Sequence, residues 1–288
     1  MMLEAPMMYR VAKSVVRALL RVLTHYEVEG QENLPPGGPL LLVFNHLAWW
    51  DAPVAMATLP WRMRAMALKD LQRVPLTGQL LSMSDPIWVD RGRYDRNALR
   101  QALATLARGE VLGIAPEGRM SVTGVLERGK TGPVFIARKA DVPILPVGLT
   151  GTEKALTEWR RFRRPHIRVI IGRVFRLPES GDHGSRKEGR QTDADFIMER
   201  LAELLPPEYR GVYADSVESE TRWRWSLRMY LWMRPPSPSW TSRPQPSPLN
   251  AGIVSARRWV PQNLRVLLCS MSPCQDESRE RAWTRLPY

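Results

Sequence analysis

The sequence predicts an α/β fold, a mixed and largely parallel sheet flanked by helices, with an N-terminal amphipathic helix ahead of it. Short apolar runs such as Leu40 to Val43 and Val111 to Ile114 alternate with longer segments of helical periodicity, the pattern of strands laid between helices. Several of these runs end abruptly in polar residues, as strands do when they deliver side chains to an exposed rim. A chain of 288 residues with 44% hydrophobic side chains also has enough apolar material for a sizeable core.

Residues 8–24 read as the amphipathic helix. Arg10, Lys13, Arg17 and Arg21 recur at three- and four-residue spacing and so share one face, while Val11, Val15, Val16, Leu19, Leu20, Val22 and Leu23 fill the rest. A basic stripe beside a broad apolar face describes a helix lying in a membrane interface. A surface helix with a solvated charged face is the plainer alternative. Residues 28–38 form a turn-rich connector. A buried strand follows at 39–43, and Asp51 opens a helix with Pro53 in its first turn. Residues 62–67 alternate like a strand, 69–82 read as short helix and loop, and Ile87-Trp88-Val89 is another strand. Leu99, Ala102, Leu103 and Leu106 mark a helix over 96–108 that stops at Gly109. Strands at 111–114, 144–149 and 167–172, and helices at 133–139 and 193–205, complete the pattern.

The pattern then dissolves. Residues 216–288 hold no lysine, eleven arginines, nine prolines and six of the eleven tryptophans, the composition of a disordered tail. The expected division is a helix at 1–24, one α/β domain at 25–215, and a Pro/Arg/Trp-rich tail at 216–288.

A net charge of +13 points to an anionic partner, either nucleic acid or an anionic membrane surface. Cys269 and Cys274 are too few and too badly spaced for a zinc site or a disulfide framework, which fits a cytoplasmic protein. No apolar run reaches the roughly 18 residues of a membrane span. Lys13, Arg17 and Arg21 interrupt any signal-peptide core. Four scattered histidines give no metal cluster, and no Gly-x-Ser-x-Gly elbow offers a serine nucleophile.

Three strand ends carry polar constellations: Asn45-His46 with Asp51, Asp90-Arg91-Gly92-Arg93, and Pro116-Glu117-Gly118-Arg119. If their strands are neighbours, these groups converge on one rim. His46 is then a proton acceptor, and Asp51 fixes its tautomer. Arg91 and Arg119 match a phosphate in bidentate geometry. The set suits acyl transfer to the hydroxyl of a phosphate-bearing acceptor.

Order and spacing add a resemblance. Asn45-His46-x4-Asp51, Val89-Asp90-Arg91-Gly92, Pro116-Glu117-Gly118-Arg119-Met120-Ser121 and Val142-Pro143-Ile144-Leu145-Pro146-Val147 resemble, in order, the four blocks of the PlsC-type 1-acylglycerol-3-phosphate acyltransferases, or lysophospholipid acyltransferases. The likeness covers roughly residues 25–215. It implies an enzyme of phospholipid biosynthesis, peripheral on the cytoplasmic face of the cell membrane. It further implies acyl-CoA or acyl-carrier protein as co-substrate, a lysophospholipid acceptor, a phospholipid surface as partner, and neither a cofactor, a metal nor nucleic acid. By the same likeness His46 is the base and Asp51 its orienting partner. Asn45, Arg91, Glu117, Gly118, Arg119 and Lys130 are the expected substrate-binding residues, and Pro146 is structural. The third block departs from the usual Phe-Pro-Glu-Gly-Thr-Arg-Ser: the arginine stands one place early and the threonine is missing. That variant resembles one of bacterial lysophosphatidylethanolamine-type acyltransferases, so the acceptor is 1-acylglycerol 3-phosphate or a related lysophospholipid.

Two alternatives remain. One is a catalytically silent lipid- or nucleic-acid-binding protein of the same fold. The other is a nucleotide-binding P-loop, because Gly124 to Thr131 fits Gly-x4-Gly-Lys-Thr. A P-loop needs a strand running directly into it and backbone amides free to meet phosphate. Residues 119–123 are poor strand sequence, and Glu127 would place a carboxylate in the cradle.

Overall fold

The computed structural model describes residues 7–73, 77–82, 85–90, 95–178 and 186–218. The chain divides into two units, Met1–Arg234 and Pro235–Tyr288, and every described residue belongs to the first. Its strands are β1 (His25–Glu29), β2 (Leu40–Phe44), β3 (Met63–Leu68), β4 (Ile87–Val89), β5 (Val111–Ile114), β6 (Ile144–Thr150) and β7 (His166–Ile171). They form one sheet in the order β1-β7-β6-β2-β5-β3-β4. Every neighbouring pair is parallel except β6 and β7. The helices are α1 (Met7–Leu23), α2 (Asp51–Thr58), α3 (Thr77–Ser82), α4 (Arg96–Ala107), α5 (Gly132–Ala140), α6 (Ala155–Arg160) and α7 (Arg186–Ala202). The α/β architecture with a largely parallel sheet is the one the sequence predicts.

β2 is buried on both faces, which is why Leu40 to Phe44 is an unbroken apolar run. Leu40, Leu42 and Phe44 pack on one side with Tyr9 and Leu20 of α1 and Val54 of α2. Leu41 and Val43 pack on the other with Ala98 and Leu106 of α4, Val134 of α5 and Ile197 of α7. A third cluster joins the end of α7 to Leu126, Tyr209, Tyr213 and Val217. The packed chain thus continues past the expected boundary at 215. Residues 219–288, where the disordered tail was expected, lie outside the described residues.

Two elements escape the sequence reading. β1 is an edge strand whose exposed His25, Glu27 and Glu29 alternate with half-buried Tyr26 and Val28, and its end merges with the polar connector. α6 is a short helix after β6. Pro146 sits inside β6, opposite Val43 of β2, one residue before the antiparallel ladder with β7 begins at Val147. Its carbonyl still accepts from Gly172 N–H at 2.9 Å, just past the end of β7, so only the reciprocal bond of that pair is forgone.

α1 forms where expected, but its basic residues do not make a free stripe. Lys13 donates to Leu59 O, and Arg17 donates to Ala57 O at 3.0 and 2.7 Å. Both therefore cap carbonyls at the C-terminal end of α2, where a cation also complements the helix dipole. Burial, with the Arg17 guanidinium alongside, pushes Lys13 down to about 8. The outward side carries Met7, Val11, Val15, Leu19 and Val22, all exposed and recurring at three- and four-residue spacing. The apolar set read from periodicity is thereby split: Val16 and Leu20 pack on the core beside Lys13 and Arg17, while Val11, Val15, Leu19 and Val22 face outward.

Candidate active site

The chain leaves β2 at Phe44 and turns into the loop that carries the histidine. Asn45 is buried, and its side chain does the work of a further strand residue. Its amide donates to Leu149 O at 2.8 Å and its Oδ1 accepts from Leu149 N–H at 2.7 Å. Both ends of the amide are engaged by backbone, so Asn45 pins the loop to β6 instead of facing a substrate.

His46 Nδ1 lies 2.9 Å from Asp51 Oδ2. A carboxylate only accepts, so Nδ1 carries the proton and Nε2 keeps the lone pair. Asp51 is fully buried at the start of α2, and the same oxygen also accepts from Leu47 N–H and Ala48 N–H, both at 2.6 Å. The carboxylate holds ring and loop together at the positive end of a helix. The His46 ring is a quarter exposed.

Glu117 follows β5, the neighbour of β2 in the sheet, so the first and third blocks do converge. Its carboxylate turns inward. Oε1 accepts from His46 N–H at 3.2 Å and Oε2 from Glu127 N–H at 3.4 Å, and the side chain is only 1% exposed. Ser121 N–H donates to His46 O at 2.7 Å. Glu117 and Ser121 thus grip the peptide groups of His46 from both sides, a role the sequence reading did not give them. Gly118 has φ 69° in a turn closed by its N–H on Ala115 O. Its glycine is a backbone requirement.

Burial pushes Glu117 up to about 7, against the two N–H groups it accepts from. Its proton is held more tightly in the folded chain than in the unfolded one. Folding stability therefore falls as pH rises from near 4.5 to about 7 and is level above. Glu117→Gln removes this titration. Unfolding free energies of parent and variant, from denaturant titrations between pH 4.5 and 8, should diverge by on the order of 3 kcal/mol across that window. Parallel curves refute the buried-carboxylate account.

Arg119 pairs with Glu127 at 2.6 Å and is well exposed, so its early position in the block is matched by a carboxylate eight residues on. β4 is separated from β5 by β3, and Arg91 lies outside the described residues. Lys130 is held at the third block by its N–H on Pro116 O at 2.8 Å and lines a second cavity. The P-loop reading fails on its amides. Within the loop, the N–H groups of Leu126, Glu127, Gly129 and Lys130 donate to Tyr209 O, Glu117 Oε2, Tyr213 OH and Pro116 O. β5 ends at Ile114, well before this loop begins.

Beside His46 opens a cavity of about 330 Å³ lined by Phe44, Met66, Leu71, Leu81, Val89 and Met120 among others. Arg119 and Trp49 also line it, while Trp50 is turned away by a bond from its Nε1 to Thr152 O at 2.9 Å. The lining residues come from β2, α2, β3, α3, β4, β5 and the connecting loops, including the one after β5, too far apart in sequence for any local pattern to show them. A carboxylate-bound histidine at the end of a central strand, facing an apolar cavity with an arginine at its edge, defines the site of an acyltransferase-type α/β domain.

Comparison with known proteins agrees. The Acyltransferase family model matches residues 25–150. Over 199 residues the chain is 25% identical to the 1-acyl-sn-glycerol-3-phosphate acyltransferase of Bacillus subtilis, covering 68% of this chain and 96% of that one. Over 189 residues it is 24% identical to the corresponding enzyme of Pseudomonas aeruginosa, covering 64% and 72%. The crystal structure of the 1-acyl-sn-glycerophosphate (LPA) acyltransferase PlsC from Thermotoga maritima has the same fold, with a TM-score of 0.52 and 22% identity over 68% of this chain and 79% of that one. Residues 25–150 thus carry an Acyltransferase domain, and the chain around it is similar to the PlsC-type 1-acyl-sn-glycerol-3-phosphate acyltransferases.

Proposed function

We propose that this enzyme moves a fatty acyl group from a thioester to the free hydroxyl of 1-acylglycerol 3-phosphate or a related lysophospholipid. The observation that carries the reading is His46, with Nδ1 bound to Asp51 and its ring at the wall of an apolar cavity. His46 Nε2 takes the acceptor's hydroxyl proton as the oxygen attacks the thioester carbonyl. The carbon–sulfur bond breaks, and the imidazolium returns the proton to the leaving thiolate. Asp51 stabilises the imidazolium in between. The balance needs no metal or resident cofactor. The acyl chain occupies the apolar cavity, and Arg119 at its edge meets the acceptor's phosphate.

The outward apolar side of α1 supports a site of action on a membrane surface, where the acceptor resides. No described helix is long and apolar enough to cross a membrane. Acyl-CoA and acyl-carrier protein are cytoplasmic thioesters, so the surface is the cytoplasmic one. The basic balance of the chain then meets anionic headgroups.

The test is an acceptor screen. Vesicle-bound protein is given labelled acyl thioester with lysophosphatidic acid, lysophosphatidylethanolamine or glycerol 3-phosphate. A labelled diacyl phospholipid is expected from a lysophospholipid. Label only in free fatty acid, or in no lipid, rejects the reading.

A further inference from the structure

The larger of the two cavities near the site, about 990 Å³, has no part in the scheme above. It shares three wall residues with the apolar cavity: Met66, Val89 and Ile114. The two therefore stand back to back across the C-terminal ends of β3, β4 and β5. The larger one is walled by α4, α5 and α7, which cover the opposite face of the sheet from α1 and α2.

Its wall combines an apolar side with cations. Leu99, Phe135 and Ile136 supply the first, and Lys130 and Arg128 the second. Arg128 is 72% exposed and makes only a 3.8 Å approach to Asp195. The acid beside them, Asp95, is occupied in capping α4 through Asn97 N–H and Ala98 N–H. Glu188 and Arg190 stand together on the α7 side. The volume lies at the top of the roughly 300–1,000 Å³ range of pockets that enclose whole drug-sized molecules, far more than one phosphate needs.

We infer that this cavity receives the phosphopantetheine arm of the acyl donor, with Lys130 and Arg128 at its phosphate. The inference rests on the acyl-transfer reading and adds a direction to it. The arm's dimethyl and methylene groups lie on Leu99, Phe135 and Ile136. Its thioester passes over the shared wall toward His46, and the acyl chain descends into the apolar cavity. The lipid acceptor arrives from the α1 side and the water-soluble donor from the other, so neither crosses the other's path. Lys130 thereby serves the donor and not the acceptor's phosphate.

The experiment compares the full chain with Lys130→Glu and Phe135→Asp in steady-state kinetics, varying each substrate in turn, and measures free CoA and phosphopantetheine binding by calorimetry. Lys130→Glu is expected to raise the KM for the donor about tenfold or more and leave the KM for the lysophospholipid within about twofold. Phe135→Asp should weaken binding of both CoA and phosphopantetheine. Acyl-CoA and acyl-carrier protein are run as separate arms; because the arm is common to both, the effect is expected with whichever the enzyme uses. A rise confined to the lysophospholipid KM overturns the inference, as does CoA binding indifferent to both substitutions. If the parent binds CoA through Lys130 yet transfers no acyl group, the inference stands and the acyl-transfer reading fails.

Discussion

Replacing His46 with alanine is expected to lower kcat for acyl transfer by about 10²- to 10⁴-fold, the usual contribution of a positioned general base. Vesicle binding should be unchanged, because His46 lies in the loop after β2 and is not one of the exposed apolar residues of α1. The fold should also survive. Asp51 Oδ2 keeps its bonds from Leu47 and Ala48 N–H, and Glu117 keeps its bond to the residue-46 peptide. The KM for the lysophospholipid should move little, since the base acts in the transition state. A His46→Ala protein that transfers acyl groups at the parent rate removes His46 from the mechanism, whereas a parent that binds lysophospholipid and transfers nothing leaves a lipid-binding protein of the same fold as the better account.

Changing Val11, Val15 and Leu19 together to aspartate is expected to release the protein from vesicles. These side chains are exposed in the structure, so the substitutions disturb no packing. In the membrane interface they would be covered, each contributing on the order of 1 kcal/mol or more, and aspartate adds a desolvation cost. The loss is about 3 kcal/mol or more, at least 100-fold in partitioning. Co-sedimentation with vesicles reads it directly, and equal pelleting of parent and variant rejects membrane docking through this face. The structure makes this test cleaner than deleting residues 1–24. Deletion would also strip Tyr9 and Leu20 from the core and uncap α2 by removing Lys13 and Arg17.

Much of the architecture is legible in the sequence because it is written in short range. β2, β4, β5 and β6 are apolar runs bounded by turn residues, and α2 and α4 announce their starts with Asp51 and Asp95. The His46–Asp51 bond spans five residues and follows from one turn of chain. What escapes is set by pairing over long range. Nothing near Glu117 says that its carboxylate will accept from His46 N–H, 71 positions away. Nothing near Asn45 says that its amide will be taken by Leu149. Arginine and lysine spacing on α1 defines a face, yet whether that face is solvated depends on α2's carbonyls, which local periodicity does not contain.

The ties on the His46 loop also bear on when the enzyme becomes active during its own synthesis. The loop is held by Glu117, Ser121 and Leu149, all far downstream. Contacts of such separation form late, because the long closures they require cost chain entropy before they are rewarded. A growing chain that has emerged through Asp51 already carries the whole His-x4-Asp signature but nothing to grip it. Its histidine comes into register only once β5 and β6 have flanked β2. Catalytic competence is thus a property of the completed sheet, and a truncated or half-made chain bearing the motif remains inert.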